Sequence, residues 1–187
     1  MTRQVSSSAE TGTGPTGGFD PRIVVFACNW CSYAGADTAG VSRIQHQPHF
    51  RMIRVMCSGR VQPAWVLRAF EKGADGVLVS GCHFGDCHYI FGNERAVEQF
   101  EKTMNIVKLL GIDEGRLRLE WISAAEGVRF AEVINEFTDQ VRDLGRSPLD
   151  VADATDEIEV PEGGACLSGE SDSGSGTGSR SGSKGAR

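Results

Sequence analysis

Residues 73–93 read GADGVLVSGCHFGDCHYIFGN. Gly76-Val77-Leu78-Val79-Ser80 is a short, nearly continuous apolar run, the pattern of a strand buried on both faces. It runs straight into a loop that carries Cys82 and, after four intervening residues, Cys87. Upstream, Ile23-Val24-Val25-Phe26-Ala27 is a second such run and is followed by Cys28 and Cys31. Met52-Ile53-Arg54-Val55-Met56 is a third, followed by Cys57. Downstream, Leu117, Leu119 and Trp121 alternate with polar residues and mark a fourth strand.

Helical patterns lie between these strands. Residues 35–44 carry Ala36, Ala39 and Val41, small enough for close packing. Pro63 opens a helix at its first position, Leu67 and Phe70 share a face, and Gly73 ends it. Residues 94–110 space Val97, Phe100, Met104, Val107 and Leu110 by three or four. Ser123 and Glu126 fit a capping box ahead of a stripe of Phe130, Ile134, Phe137, Val141 and Leu144, stopped by Gly145. Strand and helix alternate throughout. The expected fold is α/β, a small, mainly parallel sheet of about four strands with helices on both faces, flavodoxin-like in type.

The expected domain spans residues 21–145. Residues 1–20 are rich in Ser, Thr and Gly and read as a flexible arm. Residues 146–187 read as an acidic linker, broken by Pro148 and Pro161, and a disordered tail in which 13 of the last 21 residues are Gly or Ser. The whole chain of 187 residues has a net charge of −6. Residues 21–145 hold 14 Lys/Arg and 15 Asp/Glu, so the expected domain carries no basic field to draw a nucleic-acid backbone. No apolar run approaches the roughly 20 residues of a bilayer span. No secretory signal is visible either, and the expected location is cytoplasmic.

That location sets the meaning of six cysteines, since clustered thiols in a reducing compartment are more often metal ligands or redox groups than disulfides. Cys166 stands alone in the tail. In a parallel sheet the other five emerge at one carboxyl edge, where open α/β sheets bind ligands. A lone cysteine after a buried strand is usually a small apolar core residue; five at one edge point to a metal or redox site. Thiolate sites suit zinc, copper(I) or iron–sulfur clusters. A closed zinc site usually shows two paired short spacings, whereas a 2Fe–2S cluster draws four thiolates from separate loops. Backbone N–H groups beside Ser58, Gly59, Gly81 and Gly85 would disperse its negative charge, with Arg60 a nearby cation. His83 and His88 adjoin Cys82 and Cys87 and read as hydrogen-bond donors to sulfur or to a partner, ahead of imidazole ligation of the Rieske type. His46 and His49 read as surface residues, and Asp86 as a local cap. Two other readings stay open: a zinc-stabilised interaction module without redox activity, and a Cys28-x-x-Cys31 dithiol oxidoreductase activated by a following helix N-terminus.

CNWCSYAGAD (28–37), RVMCSGRV (54–61), GADGVLVSGCHFGDCHYIFGN (73–93) and RLEWISAAEG (118–127) together resemble the delta subunit of methyl-viologen-reducing hydrogenase. Phe84 stands where that pattern suggests Pro. The resemblance spans residues 23–145. It implies a non-catalytic iron–sulfur subunit whose 2Fe–2S cluster maps onto Cys28, Cys31, Cys57, Cys82 and Cys87, four of them ligands. Cys31 is the expected spare, because the other four sit nearest the strand ends. The implied partners are hydrogenase or formate dehydrogenase subunits on one side and a heterodisulfide reductase-like flavin subunit on the other. Trp30, Tyr33, Tyr89 and Phe91 flank the cysteine loops and are candidates for a docking face. No Ser/His/Asp set or phosphate-cradling loop is visible, and Gly73-Ala74-Asp75-Gly76 precedes a strand instead of following one.

Overall fold

The computed structural model of the chain describes residues 19–149. The arm expected over residues 1–20 and the tail expected over 146–187 therefore fall outside the described residues, save for 19–20 and 146–149, and so does Cys166. The apolar runs become β1 (Ile23–Cys28), β2 (Phe50–Val55), β3 (Gly76–Gly81) and β4 (Leu117–Trp121). The helical patterns become α1 (Ser32–Val41), α2 (Pro63–Glu71), α3 (Gly92–Leu109) and α4 (Gly127–Leu144), with single 3-10 turns at Ser58–Arg60 and Glu114–Arg116.

The sheet order is β2-β1-β3-β4 and every pairing is parallel. All six residues of β3 are buried, as its unbroken apolar run requires of a central strand. β2, at one edge, alternates between half-buried and exposed residues over most of its length. α1 and α4 cover one face, where Ala39, Phe130, Ile134 and Phe137 pack on Val25 and Leu78. α2 and α3 cover the other, where Val66, Phe70 and Val107 pack on Phe26, Val77 and Val79. Twelve large side chains are almost completely buried, and each such burial favours folding by about 1.5–3 kcal/mol. Among the described residues no helix is long and apolar enough to cross a membrane.

Two local differences from the sequence reading have clear causes. α1 begins at Ser32, three residues before Gly35, because the first turn forms inside the cysteine motif and the Gly35 N–H donates to the Cys31 carbonyl at 2.8 Å. β2 begins at Phe50 and ends at Val55, because Phe50 pairs with Ile23 and Val55 with Cys28, so β1 sets its length. The Ser123/Glu126 box is half-formed: the Ser123 N–H donates to Glu126 Oε2 at 2.7 Å, and no side chain caps the start of α4 in return.

The amino edge of the sheet is held by one buried carboxylate. Asp75 accepts from the N–H groups of Arg22 at 2.8 Å and Ser147 at 3.0 Å. The Arg116 guanidinium donates to the carbonyls of Asp75, Leu144, Gly145 and Arg146, which fixes the end of α4 against the start of β3. The carboxyl edge, opposite, is free to carry loops.

Candidate metal centre

Cys28 is the last residue of β1, Cys57 lies two residues beyond β2, and Cys82 directly follows β3. β2 leaves β1 on one side and β3 lies on the other, so Cys28 and Cys82 stand at the point where the strand order reverses. Crevices form there because the flanking loops diverge. The Sγ atoms of Cys28, Cys31 and Cys82 all lie within 4.8 Å of one another, with Cys28 and Cys82 3.8 Å apart. All three residues are buried. Cys87 packs against this group from the β3–α3 loop.

Cys87 also approaches Cys57, beside Gly92. A Cβ added to Gly92 would collide with Cys57 Sγ and lie 2.9 Å from Cys87 Sγ. The missing side chain at the start of α3 is what leaves room for both sulfurs. Gly59 makes a second close approach: its Cβ would meet the Gly92 carbonyl at 2.5 Å, so the turn after Cys57 rests directly on the first turn of α3.

Supporting contacts come from residues that the spacing of cysteines did not single out. Ser32, fully buried, accepts from the Cys28 N–H at 2.9 Å and donates to the Ser80 carbonyl at 2.9 Å. One hydroxyl thereby ties the end of β1 to the end of β3. Asn93, also buried, donates from Nδ2 to the His83 carbonyl at 2.9 Å and fixes the path of the loop after Cys82. A serine directly after CxxC and an asparagine opening a helix were the only sequence signals for either.

The charges follow from crowding. Three mutually hydrogen-bonded thiols cannot ionise independently. Hydrogen bonds from Cys31 and then Cys82 draw the Cys28 thiol down to about 2, and backbone N–H groups of Trp30 and Ser58 help. The same contact with Cys28 pushes Cys31 upward and Cys82 up to about 12. Burial raises Cys57 against the pull of a Gly59 N–H. Without a metal, then, the crevice favours a thiolate at Cys28 and thiols at Cys31, Cys57 and Cys82. A soft cation would replace those protons and release them to water.

The donor set fits such a cation. Five thiols with amide N–H groups directed at several of them suit thiolate-preferring metals, and the space at Gly92 is kept open for the sulfurs. The histidines stand aside. His83 Nε2 pairs with Glu126 Oε2 at 2.7 Å, and the His88 ring stacks on Trp30 at 3.9 Å. His46, read as a surface residue, is half-buried and packs edge-on against Phe130, because the α1–β2 loop folds over α4. Trp30, Tyr89 and Phe91 are exposed around the crevice, whereas Tyr33 packs against the α1–α4 core. A cavity of about 750 Å³ at the side of β2, lined by Pro21, Val24, Trp65 and Ala69 among others, touches none of the cysteines.

Residues 23–145 match the family described as methyl-viologen-reducing hydrogenase, delta subunit. The chain is 46% identical over 141 residues to the vhc iron-sulfur subunit of the F420-non-reducing hydrogenase of Methanococcus voltae, covering 75% of this chain and 96% of that one. It is 50% identical over 127 residues to the iron-sulfur subunit of the F420-non-reducing hydrogenase of Archaeoglobus profundus, covering 68% of this chain and 93% of the relative. A third relative is much longer. It belongs to the ferredoxin/F(420)H(2)-dependent CoB-CoM heterodisulfide reductase of Methanosarcina acetivorans and is 52% identical over 125 residues, which are 67% of this chain and 16% of that protein.

Proposed function

The chain belongs to the delta-subunit family of methyl-viologen-reducing hydrogenase, and we propose that it is an electron-transfer subunit holding a 2Fe–2S cluster. The observation that carries the reading is the meeting of five cysteines from three loops at one sheet edge, with three sulfurs within 4.8 Å. When bound, the cluster supplies reversible one-electron storage; the protein sets its potential and its distance from partners.

Cys28, Cys31 and Cys82 lie together, and Cys87 packs on them and also approaches Cys57 at Gly92. A run of sulfurs from several loops suits a binuclear site. Cys28 and Cys82, the pair at 3.8 Å, and Cys57 with Cys87 are the four ligands, and Cys31 is the fifth, spare thiol. Buried Ser32 and Asn93 hold the loops, and N–H groups of Trp30, Ser58, Gly59 and His88 disperse the negative charge of the thiolates.

The names of the relatives support the choice of partners. One relative is a component of a heterodisulfide reductase and contains a region like this chain, and others are hydrogenase iron–sulfur subunits. This chain relays electrons between a hydrogenase or formate dehydrogenase module and a heterodisulfide reductase-like flavin subunit, in the cytoplasm. The test is chemical analysis of anaerobically purified protein. About two irons and two sulfides per chain support the reading, and a single zinc without sulfide refutes it.

A further inference from the structure

A cavity of about 440 Å³ opens beside Cys57, lined by Met56, Tyr89, Phe91, Gly92 and two guanidiniums, Arg60 and Arg95. Its walls are otherwise apolar or aromatic. Tyr89 is 47% exposed, Phe91 59% and Met56 55%, so three large side chains stand in water around a cysteine that is itself buried. Arg60 and Arg95 line the same cavity, and the turn that carries Arg60 rests on α3, where a Gly59 Cβ would lie 3.2 Å from Arg95 Cβ.

Neither guanidinium has an ion pair or hydrogen bond among the described residues. That contrasts with the arginines of the α4 face, where Arg118 and Arg129 share Glu120 and Arg118 also reaches Glu136. Two guanidiniums without an ion pair among the described residues leave a cationic rim on a chain of net charge −6. Guanidiniums beside aromatic walls favour a carboxylate, held by planar two-point hydrogen bonds.

We propose that this cavity is the electron port of the subunit, and that it seats a carboxylate-bearing segment of the electron-transfer partner between Arg60 and Arg95. The proposal rests on the electron-relay reading above. It adds which cysteine faces the partner and what chemistry the partner presents. One electron crosses per encounter: the cluster is oxidised by one and the partner's redox group is reduced by one, with no bond made or broken. Tyr89, Phe91 and Met56 exclude water around the contact, and the charge pair aligns it. Unpaired rim charges of this kind act mainly on the rate of association and on its salt dependence.

The test uses the cluster-loaded protein, an Arg60→Glu/Arg95→Glu variant, and an Arg51→Glu/Lys72→Glu variant with the same charge change beside the cavity that touches no cysteine. A fluorescent Glu-Phe-Glu-Phe-Glu peptide is titrated against each by anisotropy. In parallel, the dithionite-reduced proteins are oxidised in a stopped-flow by anionic tris(oxalato)cobaltate(III) or cationic hexaamminecobalt(III). Peptide affinity and the anionic rate are expected to fall about tenfold in Arg60→Glu/Arg95→Glu, with the cationic rate rising and the visible spectrum unchanged. The Arg51→Glu/Lys72→Glu protein is expected to match the wild type. Equal losses in both variants, or none in either, overturn the port. Protein that holds no iron would refute the relay reading, while the peptide titration would still decide whether the cavity seats carboxylates.

Discussion

Cys28 Sγ and Cys82 Sγ lie 3.8 Å apart although 54 residues separate them in sequence. The parallel pairing of β1 with β3 brings them together: Ala27 stands opposite Ser80, so Cys28, the last residue of β1, comes level with Gly81, the last of β3, and Cys82 follows directly at the same edge.

Gly92 tests the approach of Cys87 to Cys57. Gly92→Ala drives a methyl into Cys57 Sγ, which the loop relieves only by moving. Overpacking of this kind costs about 1–3 kcal/mol. Iron content is expected to drop well below that of the wild type, with far-UV circular dichroism preserved.

Ser32 ties two strand ends through one hydroxyl. Ser32→Ala leaves the Cys28 N–H and the Ser80 carbonyl without that partner in a buried place, at a cost of about 2 kcal/mol. Urea unfolding is expected to shift by that amount. Loss of iron to a chelator is expected to accelerate.

Asp75 works at the opposite edge. Asp75→Ala strands the N–H groups of Arg22 and Ser147 and removes a charge near Arg116. Destabilisation of about 3 kcal/mol is expected. Iron per folded chain should not change, which separates this anchor from the cluster supports.

Glu126 gives a pH signature. The Ser123 N–H, and then His83, hold its carboxyl below the ordinary value of 4.5. A depressed carboxyl stabilises the fold above its unfolded-state pKa, and that contribution is lost as pH falls through its folded one. Stability is thus expected to decline below about pH 4.5 more steeply in the wild type than in Glu126→Gln. Because the side chain is 40% exposed, the difference is small and is best read as the slope of urea midpoints against pH.

The strands and their order of appearance were legible because β-branched runs such as Ile23-Val24-Val25 have few other uses, and the edge that carries the cysteines follows from strand polarity alone. The inner grouping was not legible. Which sulfurs approach one another depends on the 3-10 turn at Ser58–Arg60, on Asn93 bonding the His83 carbonyl, and on the empty space at Gly92. None of these leaves a periodic trace. The start of α1 was misplaced for a related reason: small residues such as Ala34 and Ala36 carry little amphipathic signal, and the first turn is set by backbone contacts within the Cys28–Cys31 motif.

The proposed 2Fe–2S cluster is open to direct chemical analysis. Iron, acid-labile sulfide and zinc should be measured on anaerobically purified wild-type protein and on Cys82→Ser, with Mössbauer spectra of the iron-57-labelled samples. About two irons and two sulfides per chain, coupled as a binuclear centre and lost or altered in Cys82→Ser, are expected. One zinc without sulfide in protein made with ample iron would overturn the proposed cluster, and a binuclear centre indifferent to Cys82→Ser would overturn its ligand set.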